Sequence, residues 1–194
     1  ILVGGILSQF KGNVKVGSGN YFVTEACEYM DSFLQLQPWS EIILNIDSDH
    51  LDYFKDINHI QQSFQTFADK VPEDGVIFAY DSNPFVKSVV SGLKCRVITF
   101  GFNETSHFYA KNITFSADGS TAYDLYGQSG FITNIKLSVP GEHNVANSLA
   151  AIAACTTFGI PMDVIESTLE EFTGTQRRFD IIGQTEAGVI VVDD

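Results

Sequence analysis

"VIFAYDSNPFVKSVVSGLKCRVITFG", Val76 to Gly101, is the stretch on which the fold turns. "VIFAY" is a short, unbroken apolar run, the pattern of a strand covered on both faces. Asn83 and Pro84 follow, a helix cap and a residue suited to the first helical position, so "NPFVKSVVSGL" reads as a helix. "CRVITFG", residues 95–101, is a second strand. Strand, helix and strand in this order argue for a parallel pair joined by a crossover helix.

The same texture extends upstream. "EIILNI" (41–46) and "YFVT" (21–24) read as further short apolar strands. From Asp56, a plausible N-cap, Ile57, Ile60, Phe64, Phe67, Ala68 and Val71 recur at helical spacing until Pro72 and Gly75 end the run. The expected class is α/β, a mainly parallel sheet flanked by helices. Downstream the texture changes. Residues 106–141 alternate apolar and polar positions around "ADGS" and "GQSG", which signals a small antiparallel subsheet. After Pro140-Gly141 come two helices, "HNVANSLAAIAACTTFG" and "PMDVIESTLEEF". "TGTQRRFD" reads as a linker, and "IIGQTEAGVIVVDD" as a further pair of strands.

The 194 residues suit one domain, or one domain and part of another, and a formal charge of −13 disfavours nucleic acid or an anionic membrane as the main partner. One phosphorylated small molecule stays compatible, because a metal ion and backbone N–H groups can hold it. Cys27, Cys95 and Cys155 are odd in number and widely spaced, so neither a zinc framework nor a disulfide scaffold is indicated. Reduced thiols in a cytoplasmic protein fit best. No His stands near Cys27 in sequence, which argues against a thiol nucleophile. No run has the length of a membrane span. The chain opens on "ILVGGIL" and closes on "GVIVVDD", strand-like ends that suggest an excised piece of a longer protein.

Ligands of open parallel sheets collect at the carboxyl ends of the strands. Glu25 directly follows "YFVT", and the cluster "DSDH" follows "EIILNI". If those strands are neighbours, Glu25 and His50 can reach one ion. Mg²⁺ prefers oxygen donors, whereas Mn²⁺ takes an imidazole nitrogen more readily. The alternative is that Asp47, Asp49 and Asp52 cap and solvate a turn. In "PGEHNVANSLAA", Asn144 and Asn147 stand three apart at a helix start and so share a face. Amides that both donate and accept can grip the edge of adenine; the alternative is capping by Asn144. Arg177 and Arg178 suit phosphate oxygens or, as an alternative, form a solvated charge patch. The sequence holds no G-x-x-x-x-G-K-[ST] loop.

Taken in order, "VTEACEYMDSFLQLQP", "IILNIDSDHLDYF", "VPGEHNVANSLAAIAA", "GTQRRFD" and "VVDD" resemble the Mur ligases over nearly the whole chain. "EACEYMDSF" followed by "HLDYF" is nearer the alanine-adding members than the peptide-recycling ones. The resemblance implies a P-loop-type central ATP-binding domain, without its phosphate loop, over residues 1–173. Residues 174–194 would be the linker and first strands of an amino-acid-binding domain. It implies ATP and Mg²⁺ as cofactors, and UDP-N-acetylmuramate and L-alanine as partners in the intact enzyme. The amide would form through an acyl phosphate in cell-wall peptidoglycan synthesis. By the match, Glu25 and His50 are Mg²⁺ ligands. His143, Asn144 and Asn147 lie at the adenine, and Arg178 at the nucleotide phosphates. Asp193 and Asp194 open the acidic motif of the next domain. Lys55 and Lys70 are poorly placed for the family's carbamylated lysine. Lacking the loop, the fragment is expected to be inactive and to self-associate through an unpaired sheet edge. The competing expectations are a non-catalytic binding module on the same fold and a metal-dependent hydrolase.

Overall fold

The strands read from "VIFAY" and "CRVITFG" form as expected: β4 is Val76–Tyr80 and β5 is Arg96–Gly101, paired in parallel from Val76 opposite Arg96 to Tyr80 opposite Phe100. The structure is a computed structural model that describes every residue except 8, 10, 176–179, 186–187 and 194. Arg177, Arg178 and Asp194 therefore lie outside the described residues. The chain divides into two compact units, residues 27–171 and residues 1–26 with 172–194.

The larger unit is built on a six-stranded sheet in the order β3-β4-β5-β6-β7-β8, where β3 is Ser40–Ile43, β6 Phe108–Phe115, β7 Thr121–Gly127 and β8 Gly130–Leu137. β3 through β6 run parallel, and β6, β7 and β8 form the antiparallel portion. The turn after β6 is closed by Asp118, whose carboxylate accepts from the Ser120 backbone at 2.9 Å, so "ADGS" is a hairpin as expected.

Helices cover both faces of this sheet. α1 (Ile57–Ala68) is capped by Asp56, which accepts from His59 N–H at 2.9 Å. α2 (Pro84–Val90) is capped by Asn83, which accepts from the N–H groups of Phe85 and Val86. Ile60, Val86 and Val89 of these helices pack with Ile43, Ile77 and Ala79 of β3 and β4. On the opposite face, Phe78 meets Phe158 at the end of α3 (Glu142–Thr157), and α4 (Met162–Glu171) follows. β4 is thus apolar at every position because both of its faces are covered.

One polar pair lies inside this second layer. The Tyr123 and Ser148 hydroxyls stand 2.7 Å apart, both buried, and Ser148 also donates to the Val145 carbonyl. Burial pushes the Tyr123 phenol well above its ordinary range. Ser148→Ala is expected to cost about 1–3 kcal/mol, because it orphans a buried phenol hydroxyl. Urea melts of the two proteins would measure the loss, and superimposable curves would exclude it.

Two expectations are corrected. "YFVT" does not form a strand: Tyr21, Phe22 and Val23 are exposed, and only Thr24 makes an isolated parallel bridge, to Leu2. Its apolar letters find no ladder, so β-propensity without a partner produces no strand. "EIILNI" is a strand over Ser40–Ile43 only, since its match with β4 ends where Ile43 faces Ala79. The smaller unit holds two antiparallel pairs. β1 (Leu2–Leu7) pairs with β2 (Gly12–Val14), and β9 (Asp180–Gln184) with β10 (Ile190–Asp193). The terminal strand signals are both realised. Among the described residues, no helix is long and apolar enough to cross a membrane.

Candidate functional site

Within the larger unit, the chemistry-bearing residues lie beyond the carboxyl ends of β3, β4 and β5, where the backbone leaves the sheet and side chains are free to converge. The loop after β3 carries "NIDSDHLDYF". Ser48 N–H donates to Asp47 and His50 N–H to Asp49, each at 2.7 Å, so these aspartates do shape a turn. His50 adopts φ 51°, a left-handed conformation that few non-glycine residues take. Its carbonyl accepts from both Tyr53 N–H and Phe54 N–H, and the fully buried Phe54 ring seats the loop in the core.

Glu28 meets His50. Its Oε1 is 3.4 Å from His50 Nε2, and ligand atoms of Glu28, Asp49 and His50 all lie within 4.8 Å of one another. One imidazole and two carboxylates form a donor set that fits Mg²⁺ or Mn²⁺ and lacks the thiolates of a structural zinc centre. Sequence spacing singled out Glu25. Glu25 belongs to the smaller unit, where its Oε2 accepts from Gly4 N–H at 2.6 Å. A Cβ at Gly4 would stand 2.8 Å from that oxygen, so a larger residue there would make the Glu25 side chain shift.

A pocket of about 350 Å³ lies beside the cluster, lined by Leu44, Asn45, Tyr80, Phe102 and, from the first turns of α3, Glu142, His143, Ala146 and Asn147. Asn45 also lines a smaller hollow with Glu28, Asp47 and Asp49, so the two hollows are neighbours. α3 starts at Gly141, with φ 97°. A Cβ there would stand 2.5 Å from the His143 ring, so only glycine allows both the turn and that ring position. The helix N-terminus adds exposed N–H groups and a partial positive charge. His143 and Asn147 line the pocket, whereas Asn144 turns back, donating to the Pro140 carbonyl at 2.7 Å and accepting from Asn147 at 3.5 Å. Asn144 is thus not the side-chain cap, and no side chain caps this helix.

Sequence reasoning missed Tyr80, Phe102 and Asn45, which reach the pocket from the last residue of β4, the residue after β5 and the loop after β3. The rule that ligands gather at strand ends pointed to them, but strand order had to be known first. Cys27 is exposed and free, and takes no part in the cluster.

An α/β sheet with neighbouring acidic and helix-terminal hollows at its carboxyl edge places these groups where open parallel sheets gather their ligands. The Mur ligase middle domain model matches residues 7–155, and this chain belongs to that family. It is 46% identical, over its whole length, to the UDP-N-acetylmuramate–L-alanine ligase of Caldanaerobacter subterraneus subsp. tengcongensis, of which it covers 42%. The chain thus spans less than half the length of the curated relatives it matches. Among solved structures, the UDP-N-acetylmuramate-alanine ligase MurC of Thermotoga maritima superposes over the whole chain with a TM-score of 0.83, at 25% identity and 43% coverage of that protein. The MurF ligase of Thermotoga maritima, solved in complex with ADP, shares the fold over 88% of this chain and 39% of its own, with a TM-score of 0.70 at 19% identity.

Proposed function

We propose that the chain is the central part of a cytoplasmic ligase that uses ATP and Mg²⁺ to join L-alanine to UDP-N-acetylmuramate through an acyl phosphate. The observation that carries this reading is that two neighbouring hollows share Asn45, one lined by Glu28 and Asp49 of the acidic cluster and the other by the first turns of α3. The relatives' names support the substrates, and the ADP complex of a protein of the same fold supports the nucleotide.

In this reading His143 and Asn147 contact the adenine, with Tyr80 and Phe102 as apolar walls against its ring. Asn144 braces the turn that carries His143. His50 supplies an imidazole nitrogen, and Glu28 and Asp49 supply carboxylates, toward Mg²⁺. Glu25 is the fourth ligand candidate, by resemblance. When bound, the metal neutralises charge on the transferred phosphoryl group. Arg178 would act at the phosphates.

Mn²⁺ titration followed by electron paramagnetic resonance tests the reading. His50→Ala is expected to weaken Mn²⁺ binding about ten-fold or more. The same test on Glu25→Gln and Glu28→Gln separates the two carboxylates. Equal Mn²⁺ affinity in all four proteins would overturn the assignment of His50, Glu25 and Glu28.

A further inference from the structure

The segment that carries Glu28 is strained. Met30 (φ 53°, ψ 31°) and Asp31 (φ 56°, ψ 25°) are consecutive left-handed residues with side chains, inside a 3₁₀ segment spanning Tyr29–Gln35. Each such residue costs about 1–2 kcal/mol, so the conformation persists only if its surroundings impose it. His50, on the facing loop, is left-handed as well.

The bonds that impose it are reciprocal. Tyr29 donates its hydroxyl to Asp52 at 2.8 Å, and Tyr53 donates its hydroxyl to Asp31 at 2.6 Å. Each segment thus contributes one tyrosine and one carboxylate to the other. Asp31 also accepts, through its second oxygen, from the buried Ser63 hydroxyl of α1. Both phenols are pushed up, chiefly by the hydrogen bond to the carboxylate each one faces. Inside this frame the Tyr29 ring lies 4.8 Å from the His50 imidazole, centroid to centroid, and Glu28 lies on its Nε2.

We propose that Asp31 is a positioning residue: by accepting from Tyr53 and Ser63 it holds the left-handed turn that sets Glu28 and the Tyr29 ring against His50. Asp31 is not itself a member of the Glu28–Asp49–His50 cluster, so it acts through the turn and not on a ligand. Both of its oxygens are already engaged by hydroxyl donors. Asn in its place keeps one acceptor and puts an N–H₂ where the second hydroxyl donates. The consequence for a metal rests on the function proposed above; the placement of His50 does not.

Two readouts separate those claims. Proton NMR of the His50 ring reports its position under the Tyr29 ring current, with no metal present. In Asp31→Asn the His50 ring protons are expected to move toward the shifts of an exposed imidazole. Tyr53→Phe, which deletes one hydroxyl and no acceptor, is expected to move them part of the way. Unchanged His50 shifts in a folded Asp31→Asn protein would overturn the proposal. Should Asp31→Asn not fold, Tyr53→Phe carries the same decision. Mn²⁺ affinity is the second readout, expected to fall about ten-fold in Asp31→Asn, as for groups that orient ligands. Ser148→Ala, destabilised in the other layer, is expected to retain the wild-type Mn²⁺ affinity and His50 shifts. If Ser148→Ala moves both readouts as far as Asp31→Asn does, Asp31 is merely structural. If the wild type binds no Mn²⁺ while its His50 shifts still respond to Asp31, the metal reading fails and the positioning role stands.

Discussion

Phe54→Ala is expected to destabilise the larger unit by about 3–5 kcal/mol, the usual cost of truncating a fully enclosed aromatic ring. Phe54 has no exposed surface, and its ring meets Tyr53 at 4.9 Å and His59 at 5.3 Å, each edge to face. It packs in the cluster formed by Ile43, Ile46, Ile60 and Val86. The vacated volume lies between the sheet and α1, two elements whose mutual packing holds both in place, so little collapse can fill it. The loss also reaches the site, because Phe54 N–H donates to the His50 carbonyl and the ring is what seats that turn. Urea unfolding should show the midpoint falling at constant slope. A change under about 1 kcal/mol would mean that the loop, and not the core, determines where Phe54 sits.

Glu41→Gln is expected to have the opposite sign, raising stability at neutral pH. Glu41 lies in β3 and is 6% exposed, and among the described residues neither of its carboxylate oxygens has a hydrogen-bond partner. Burial alone pushes its carboxyl up to about 8. The neighbouring Cys95 thiol is pushed up as well, chiefly by its own burial, with Glu41 and Asp69 adding negative charge beside it. The folded carboxyl therefore holds its proton where the unfolded chain, near 4.5, has released it. A pKa raised on folding contributes stability that is full below about 4.5 and declines as pH rises toward about 8. At pH 7 the deficit is about 3 kcal/mol by this linkage, of which Gln, a neutral side chain of the same shape, recovers the titrating part. Melting temperatures measured across this interval should slope downward for the wild type relative to Glu41→Gln. Parallel profiles would show that Glu41 is ionised in the fold and has a partner.

Much of the architecture was legible in the letters. "VIFAY" is apolar throughout because both sheet faces are covered, and Asn83-Pro84 and Asp56 mark helix starts by satisfying backbone N–H groups locally. Such signals survive in one dimension because the interactions behind them span only a few residues. "ADGS" belongs with them, since Asp118 closes its turn within two positions. "YFVT" shows the limit. Its composition suits a strand, but a strand needs a neighbour, and Thr24 alone finds one.

The site divides along the same line. The sequence by itself determined that His50 and its aspartates follow a strand, and that His143 and Asn147 open a helix. Both are local placements, set by a few neighbouring residues. It also carried the family resemblance, through motifs whose order is a property of the chain. Only the tertiary structure showed that Glu28 faces His50. Glu28 does so because Met30 and Asp31 take left-handed conformations that their own residue types disfavour. Hydroxyls from Tyr53 and Ser63, 22 and 32 positions away, hold Asp31 there. A turn sustained by distant hydrogen bonds against its local preference leaves no periodic mark in the sequence, so its outcome appears only once the segments have met.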